Sequence, residues 1–263
     1  MKRVMTAALS TGLAATALLT AAGCGDTGDK ASSGPGGRTL TVFAAASLTE
    51  TFTALGKTFE GSHPGVKVRF NFGGSSTLAQ QILQGAPVDV FAAASPATMK
   101  PVTDDGAAAK PQVFAKNRLV IALPAKEAGK EAGRVARLAD LAGPGLKVVL
   151  CAEKVPCGAA AEKALAAGGV RVEPVSREQD VKAVLTKVRM GEADAGLVYR
   201  SDVRSAAADV RGVEFPESAG AVNDYPIAAL AKAPQPGLAG EFVRLVLSQQ
   251  GRDALTRAGF ESP

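Results

Sequence analysis

Leu40-Thr41-Val42-Phe43-Ala44-Ala45-Ala46-Ser47-Leu48-Thr49-Glu50-Thr51-Phe52-Thr53-Ala54-Leu55-Gly56-Lys57-Thr58-Phe59 is the stretch that decides how this chain folds. Residues 40–44 form a short, mostly apolar run of the kind found in strands covered on both faces. Leu48, Phe52, Leu55 and Phe59 then recur at the spacing of one buried helix face. The same succession repeats downstream. Residues 66–72, 88–94, 119–123, 147–150, 195–199 and 227–230 read as strands. Val181, Val184, Leu185 and Val188 mark a helix, as do Leu238, Phe242 and Leu245. Strand–helix alternation predicts an α/β fold with mainly parallel sheets and right-handed crossovers. The alternation is long enough for two sheets, with a Gly- and Ala-rich stretch of low periodicity, 124–145, between the two sets. The organisation expected is one lobe from 39–119 plus 226–263 and a second from 120–225. Ligands of open α/β sheets bind beyond the carboxyl ends of the strands, which here would face each other across a cleft.

The N-terminus reads as a signal rather than as fold. Lys2 and Arg3 precede an uncharged stretch that ends in Thr20-Ala21-Ala22-Gly23-Cys24. A short apolar region closing on small residues marks a secretory signal, here 1–23. A membrane span would need about 20 strongly apolar residues, and this stretch is diluted by Thr and Ala. Small residues followed by Cys24 resemble the bacterial lipobox, whose Cys carries lipid after cleavage, although Ala21 stands where Leu is commoner. Residues 25–38 are Gly-, Ser- and Asp-rich, with no apolar face to bury, and read as a flexible linker. The expected location is therefore the outer face of the cell membrane. Cys151 and Cys157 are then an even pair in an oxidising compartment, where a disulfide is preferred over two buried thiols.

Composition removes several classes of function. Hydrophobic residues make up 46% and charged residues 21%, so the body is globular rather than disordered. The net charge of +5 includes Lys2 and Arg3, there is no Trp, and no three cations run together. A nucleic-acid surface needs clustered cations with stacking aromatics, so no nucleic-acid partner is expected. His63 is the only His and sits in a turn, Gly61-Ser62-His63-Pro64-Gly65, where it reads as a solvated residue. One His leaves no Ser-His-Asp triad and no His-rich metal site, and neither G-x-x-x-x-G-K nor G-x-G-x-x-G occurs. An enzyme is therefore not expected, nor a cofactor, nor a free metal cation.

Five segments carry chemistry of another kind. Phe43-Ala44-Ala45-Ala46-Ser47 brings a strand into a helix, and Ser47 with Glu50 has the pattern of a capping box. Helix N-termini present free N–H groups and positive partial charge, which suits an anion. Asn71-Phe72-Gly73-Gly74-Ser75-Ser76-Thr77 repeats the strand-to-helix junction with glycines, which permit close backbone approach. Pro156 and Gly158 stand at the entry of an Ala-rich helix around Cys157, Asp180 is a candidate N-cap before Val181, and Tyr199 ends a strand. Ser47 could equally be no more than a cap, and Tyr199 no more than core.

Taken together these motifs resemble the periplasmic molybdate-binding proteins of ABC importers. The resemblance rests on residues 41–49, 74–79, 85–91, 155–158, 179–182 and 198–202, in that order. It implies the type II two-lobed binding-protein fold and capture of molybdate, with tungstate close behind, for a permease and ATPase in the membrane. Carried over motif by motif, it implies that the hydroxyls of Ser47, Ser75 and Tyr199 and the backbone N–H groups of Cys157 and Val181 hold the oxyanion. Either Ser75 or Ser76 fits the register. Cys157 departs from the Ala usual at its position, which leaves a backbone contact intact. Sulfate or another small oxyanion on the same fold is the alternative. A purely adhesive lipoprotein would bind no small ligand. The protein is expected to act as a monomer.

Overall fold

The computed structural model describes residues 37–125 and 133–263. The signal, Cys24 and nearly all of the linker lie outside the described residues. The chain first lays down β1 (Arg38–Ala45), a 3-10 turn (Ala46–Leu48), α1 (Thr49–Ser62), β2 (Val66–Gly73), α2 (Ser75–Leu83), β3 (Val90–Ala92), α3 (Pro96–Asp104) and β4 (Gln112–Asn117). It then enters a second sheet with β5 (Leu119–Pro124), β6 (Val148–Cys151), α4 (Pro156–Ala167), β7 (Ser176–Glu178), α5 (Val181–Arg189), β8 (Ala195–Tyr199), α6 (Arg200–Ser205) and β9 (Val210–Val213). It returns to the first sheet through β10 (Asn223–Ala229) and ends in α7 (Pro236–Leu247) and α8 (Gln249–Arg257).

The strand orders are β2-β1-β3-β10-β4 and β7-β6-β8-β5-β9. β1 runs parallel to β2 and β3, while β10 is antiparallel to β3 and β4. β6 is parallel to β7 and β8, while β5 is antiparallel to β8 and β9. Both sheets are thus mixed rather than mainly parallel. The antiparallel ladders all involve β5 or β10, the strands that begin where the chain passes from one sheet to the other. The stretch 124–145 does not divide the sheets, because β5 before it and β6 after it belong to the same sheet.

Both cores follow from the apolar periodicities. Every residue of β6 and β8 is buried, as their unbroken apolar runs require. α5 buries Val181, Val184, Leu185 and Val188. Asp180 caps it by accepting from the Ala183 N–H at 3.0 Å, and Lys187 and Arg189 stand in its last turn, complementing the helix dipole. Against the first sheet α1 buries Phe52, Leu55 and Phe59. Phe52 and Phe59 meet Phe242 of α7 edge-on at 5.9 and 5.5 Å, the arrangement aromatic pairs prefer. His63 is no solvated turn residue. Its ring stacks on Phe59 at 3.9 Å, and Nε2 lies 2.6 Å from Glu241 Oε2, so it fastens the end of α1 to α7.

Candidate functional site

The carboxyl ends of β1, β2, β6 and β8 converge on a cavity of about 10 Å³, on the scale that one water molecule occupies. Ala45, Ser47, Gly74, Ser75 and Ala94 line it from the side of the first sheet, and Val155, Pro156, Cys157, Asp180, Val181 and Tyr199 from the second. All five residues singled out for oxyanion contact stand in that lining. No Lys or Arg does. Asp180 is the one charged residue there, and its carboxylate is engaged in capping α5.

The Ser75 hydroxyl is placed to donate. Ser75 Oγ accepts from the Ala94 N–H at 3.0 Å, which leaves its own proton free to point elsewhere. Ser76 has no such freedom, because its hydroxyl donates to the Lys154 carbonyl at 2.7 Å and it does not line the cavity. Of the two serines, only Ser75 lines the cavity. Ser47 does not cap α1: it lies inside the 3-10 turn, and no side-chain bond caps either helical segment. Its Oγ lies 2.9 Å from the Tyr225 hydroxyl, and Glu50 pairs with Lys182 instead of closing a capping box. The capping pattern was met by spacing alone; the extra 3-10 turn moves Ser47 one step too early to reach the first free N–H of α1.

Tyr199 is 1% exposed, and its hydroxyl has no hydrogen-bond partner among the described residues. Burial pushes its pKa well above the usual phenol value, with Tyr225 and Asp202 adding to the effect, so the proton stays on. Tyr225 is also held up by burial, against a lowering pull from Ser47. The two rings meet edge-on at 6.0 Å. Backbone donors complete the set. Val155 and Asp180 are the N-caps of α4 and α5, so Cys157 and Val181 sit in first turns, where N–H groups have no partner within the helix. Pro156 at the start of α4 forfeits nothing, since its position lacks a partner anyway. A disulfide joins Cys157 to Cys151 at the end of β6, tying the donor loop to the sheet.

Several contributing residues escaped sequence reasoning. Tyr225 is one. Asn223 Nδ2 donates to the Ala94 carbonyl at 2.7 Å and reaches the Pro156 carbonyl at 3.4 Å, spanning both sides of the cavity. Asp202 is fully buried, accepts the Tyr199 N–H at 3.1 Å and lies 3.3 Å from Lys182. Lys182 also meets both carboxylate oxygens of Glu50 at 2.9 Å, linking α5 to α1 beside the site. Among the described residues, no three His, Cys, Asp or Glu side chains gather to hold a metal ion, and no helix is long and apolar enough to cross a membrane. What the lining offers is hydroxyls and first-turn backbone N–H groups, with no Lys or Arg among them.

The chain is similar to known proteins. The model of the bacterial extracellular solute-binding proteins matches residues 40–261. The molybdate-binding protein ModA of Mycobacterium tuberculosis (strain ATCC 25618 / H37Rv) is 46% identical over 260 residues, covering 97% of this chain and 98% of the relative. Among solved structures, the periplasmic molybdate-binding protein of Azotobacter vinelandii superposes with a TM-score of 0.72 at 22% identity, covering 85% of this chain and 99% of that one. The sulfate-binding protein SubI of M. tuberculosis H37Rv gives 0.71 at 17% identity, covering 86% and 87%. Those two likenesses speak for the fold and do not choose a ligand. The family match over nearly all of the described body, together with a relative of such high identity and full coverage, is decisive: the chain belongs to the bacterial extracellular solute-binding proteins.

Proposed function

We propose that this protein captures molybdate outside the cell and delivers it to an ABC importer. Lipid on Cys24 and the linker behind it would hold the body at the outer face of the membrane. The lobes 39–119 plus 226–263 and 120–225 would close on the ion, bringing Ser47 and Ser75 from one side and Cys157, Val181 and Tyr199 from the other. The observation that carries the proposal is the Tyr199 hydroxyl, a buried, protonated donor without a well-formed hydrogen bond among the described residues, at the wall of the cavity. A buried unpaired polar group is costly, and an ion that offers only acceptors relieves it. The name of the M. tuberculosis relative, a molybdate-binding protein, points the same way.

The choice among oxyanions is an argument about protons. The proposed contacts are hydroxyls and backbone N–H groups, all able to donate. A fully deprotonated tetrahedral dianion makes every contact a charge-assisted hydrogen bond. Molybdate, tungstate and sulfate meet that condition at neutral pH. Hydrogen phosphate brings a proton that can be received only by turning a hydroxyl from donor to acceptor or by drawing on the Asp180 carboxylate that caps α5, and either choice costs a contact. A closed cleft fitted to molybdate leaves the smaller sulfate unable to reach all donors together. Thermal melts of the purified protein against these ions test the proposal. Ligand at ~1,000 times its dissociation constant adds ~4 kcal/mol to unfolding. Molybdate and tungstate are expected to shift the melt strongly, sulfate weakly and phosphate hardly at all. A sulfate shift larger than that of molybdate would reassign the ligand, and no shift with any oxyanion would end the proposal.

A further inference from the structure

Gly74 stands at the N-terminus of α2, next to Ser75, with φ −64° and ψ 127°. Any L residue adopts that conformation, so the backbone does not call for glycine here. Space does. A Cβ built on Gly74 would overlap the carbonyl oxygen of Gln179, and would lie 3.4 Å from the carbonyl carbon of Gln179 and 3.7 Å from Val155 Cγ1. All three neighbours belong to segments of the second sheet, on the far side of the cavity. None belongs to the sheet that carries Gly74. Gln179 leads through Asp180 directly into Val181, and Gly74 into Ser75. The contact between Gly74 and Gln179 therefore fixes how near the Ser75 hydroxyl comes to the Val181 N–H. Ser76, donating to the Lys154 carbonyl at 2.7 Å, joins the same two sides along this rim.

We infer that Gly74 is the steric stop of the cleft, a specificity-determining residue that sets how far the two sides close and so which size of oxyanion is gripped by all donors at once. The inference rests on the oxyanion-binding reading above. A methyl group here holds the two backbones apart by ~1 Å, the difference between an overlap and ordinary contact. Charge-assisted hydrogen bonds work at about 2.7–2.9 Å and fade quickly beyond. A wedge of that size lets an ion keep donors on one side and lose those on the other, and the smaller the ion, the greater the loss.

The test is Gly74→Ala in the full protein, titrated with molybdate, and with sulfate in competition against molybdate. The parent, measured alongside, must bind molybdate; if it does not, the functional reading fails and Gly74 is not at issue. The variant is expected to bind molybdate at least about tenfold more weakly, and to favour molybdate over sulfate more strongly than the parent does. Should the variant melt early, the ratio of the two affinities still decides, because a partly unfolded population lowers both apparent affinities alike. A variant with parental molybdate affinity, or with weaker binding at an unchanged ratio, would overturn the inference.

Discussion

Tyr199→Phe is expected to weaken molybdate binding by roughly 1–3 kcal/mol while leaving the ligand-free protein at least as stable as the parent. At about 1.4 kcal/mol per tenfold, that spans several-fold to more than a hundredfold in the dissociation constant. The two halves of the expectation come from one observation. The phenol is 1% exposed and protonated, and its interaction with Tyr225 aside it has no hydrogen-bond partner among the described residues, so its removal breaks no well-formed internal hydrogen bond. Ser47→Ala makes the contrast. Its hydroxyl is 2.9 Å from that of Tyr225, so the change strips a buried partner and lowers ligand-free stability as well as affinity. Calorimetric titration and ligand-free melts of both variants separate the two patterns. Parental affinity in Tyr199→Phe would remove Tyr199 from the site.

The second large effect concerns Asp202, buried behind Tyr199. Its pKa is raised to about 6, first by burial, with Lys182 and the Tyr199 N–H pulling the other way. A raised carboxyl means that between pH about 4 and 6 the folded protein keeps a proton that the unfolded chain releases. That contribution is present in full below the unfolded pKa and is lost as pH rises through about 6. Glu178 and Glu261 have the opposite sign: hydrogen bonds to Lys187 and Arg118 hold their pKa values down, so they stabilise at neutral pH and lose that effect in acid. Asp202→Asn removes only the first contribution. Relative to the parent, the ligand-free variant should gain stability at pH 7 over pH 4 by on the order of 2–3 kcal/mol. Denaturant unfolding across that range checks it. Parallel pH profiles of parent and variant would show that Asp202 does not titrate as its burial implies.

Much of the fold was legible because the decisive segments are unambiguous. Ala195–Tyr199 is an unbroken apolar run and is a strand over the span read from the sequence. Asp180 was legible as a cap because its side chain needs only local backbone to do its work. What escaped depends on distant partners. β7 is Ser-Arg-Glu and β9 contains Gly212, so neither has the composition of a strand; each is an edge strand made by the ladder it joins. β4 was hidden because Lys116 and Asn117 break its apolar run. Ser47 has the spacing of a cap, but only its distance to Tyr225, 178 positions away, reveals its actual partner. The Gly-Gly turn was read as room for a ligand to approach the backbone. At Gly74 the close neighbour is the Gln179 carbonyl, which no local pattern announces.

The central claim is that a shell of neutral donors binds an intact oxyanion dianion. Titration calorimetry of molybdate into the purified protein near pH 8.5, well above the Asp202 pKa of about 6 and repeated in buffers of different ionisation enthalpy, tests it most directly. Ser47, Ser75 and Tyr199 stay protonated throughout, and the backbone N–H groups do not titrate. The account predicts about one ion bound per chain, the same apparent enthalpy in every buffer, and therefore no net proton taken up or released. Phosphate titrated under the same conditions should give little heat of binding. An enthalpy that tracks the buffer with about one proton exchanged per ion, or phosphate bound as tightly as molybdate, would contradict it.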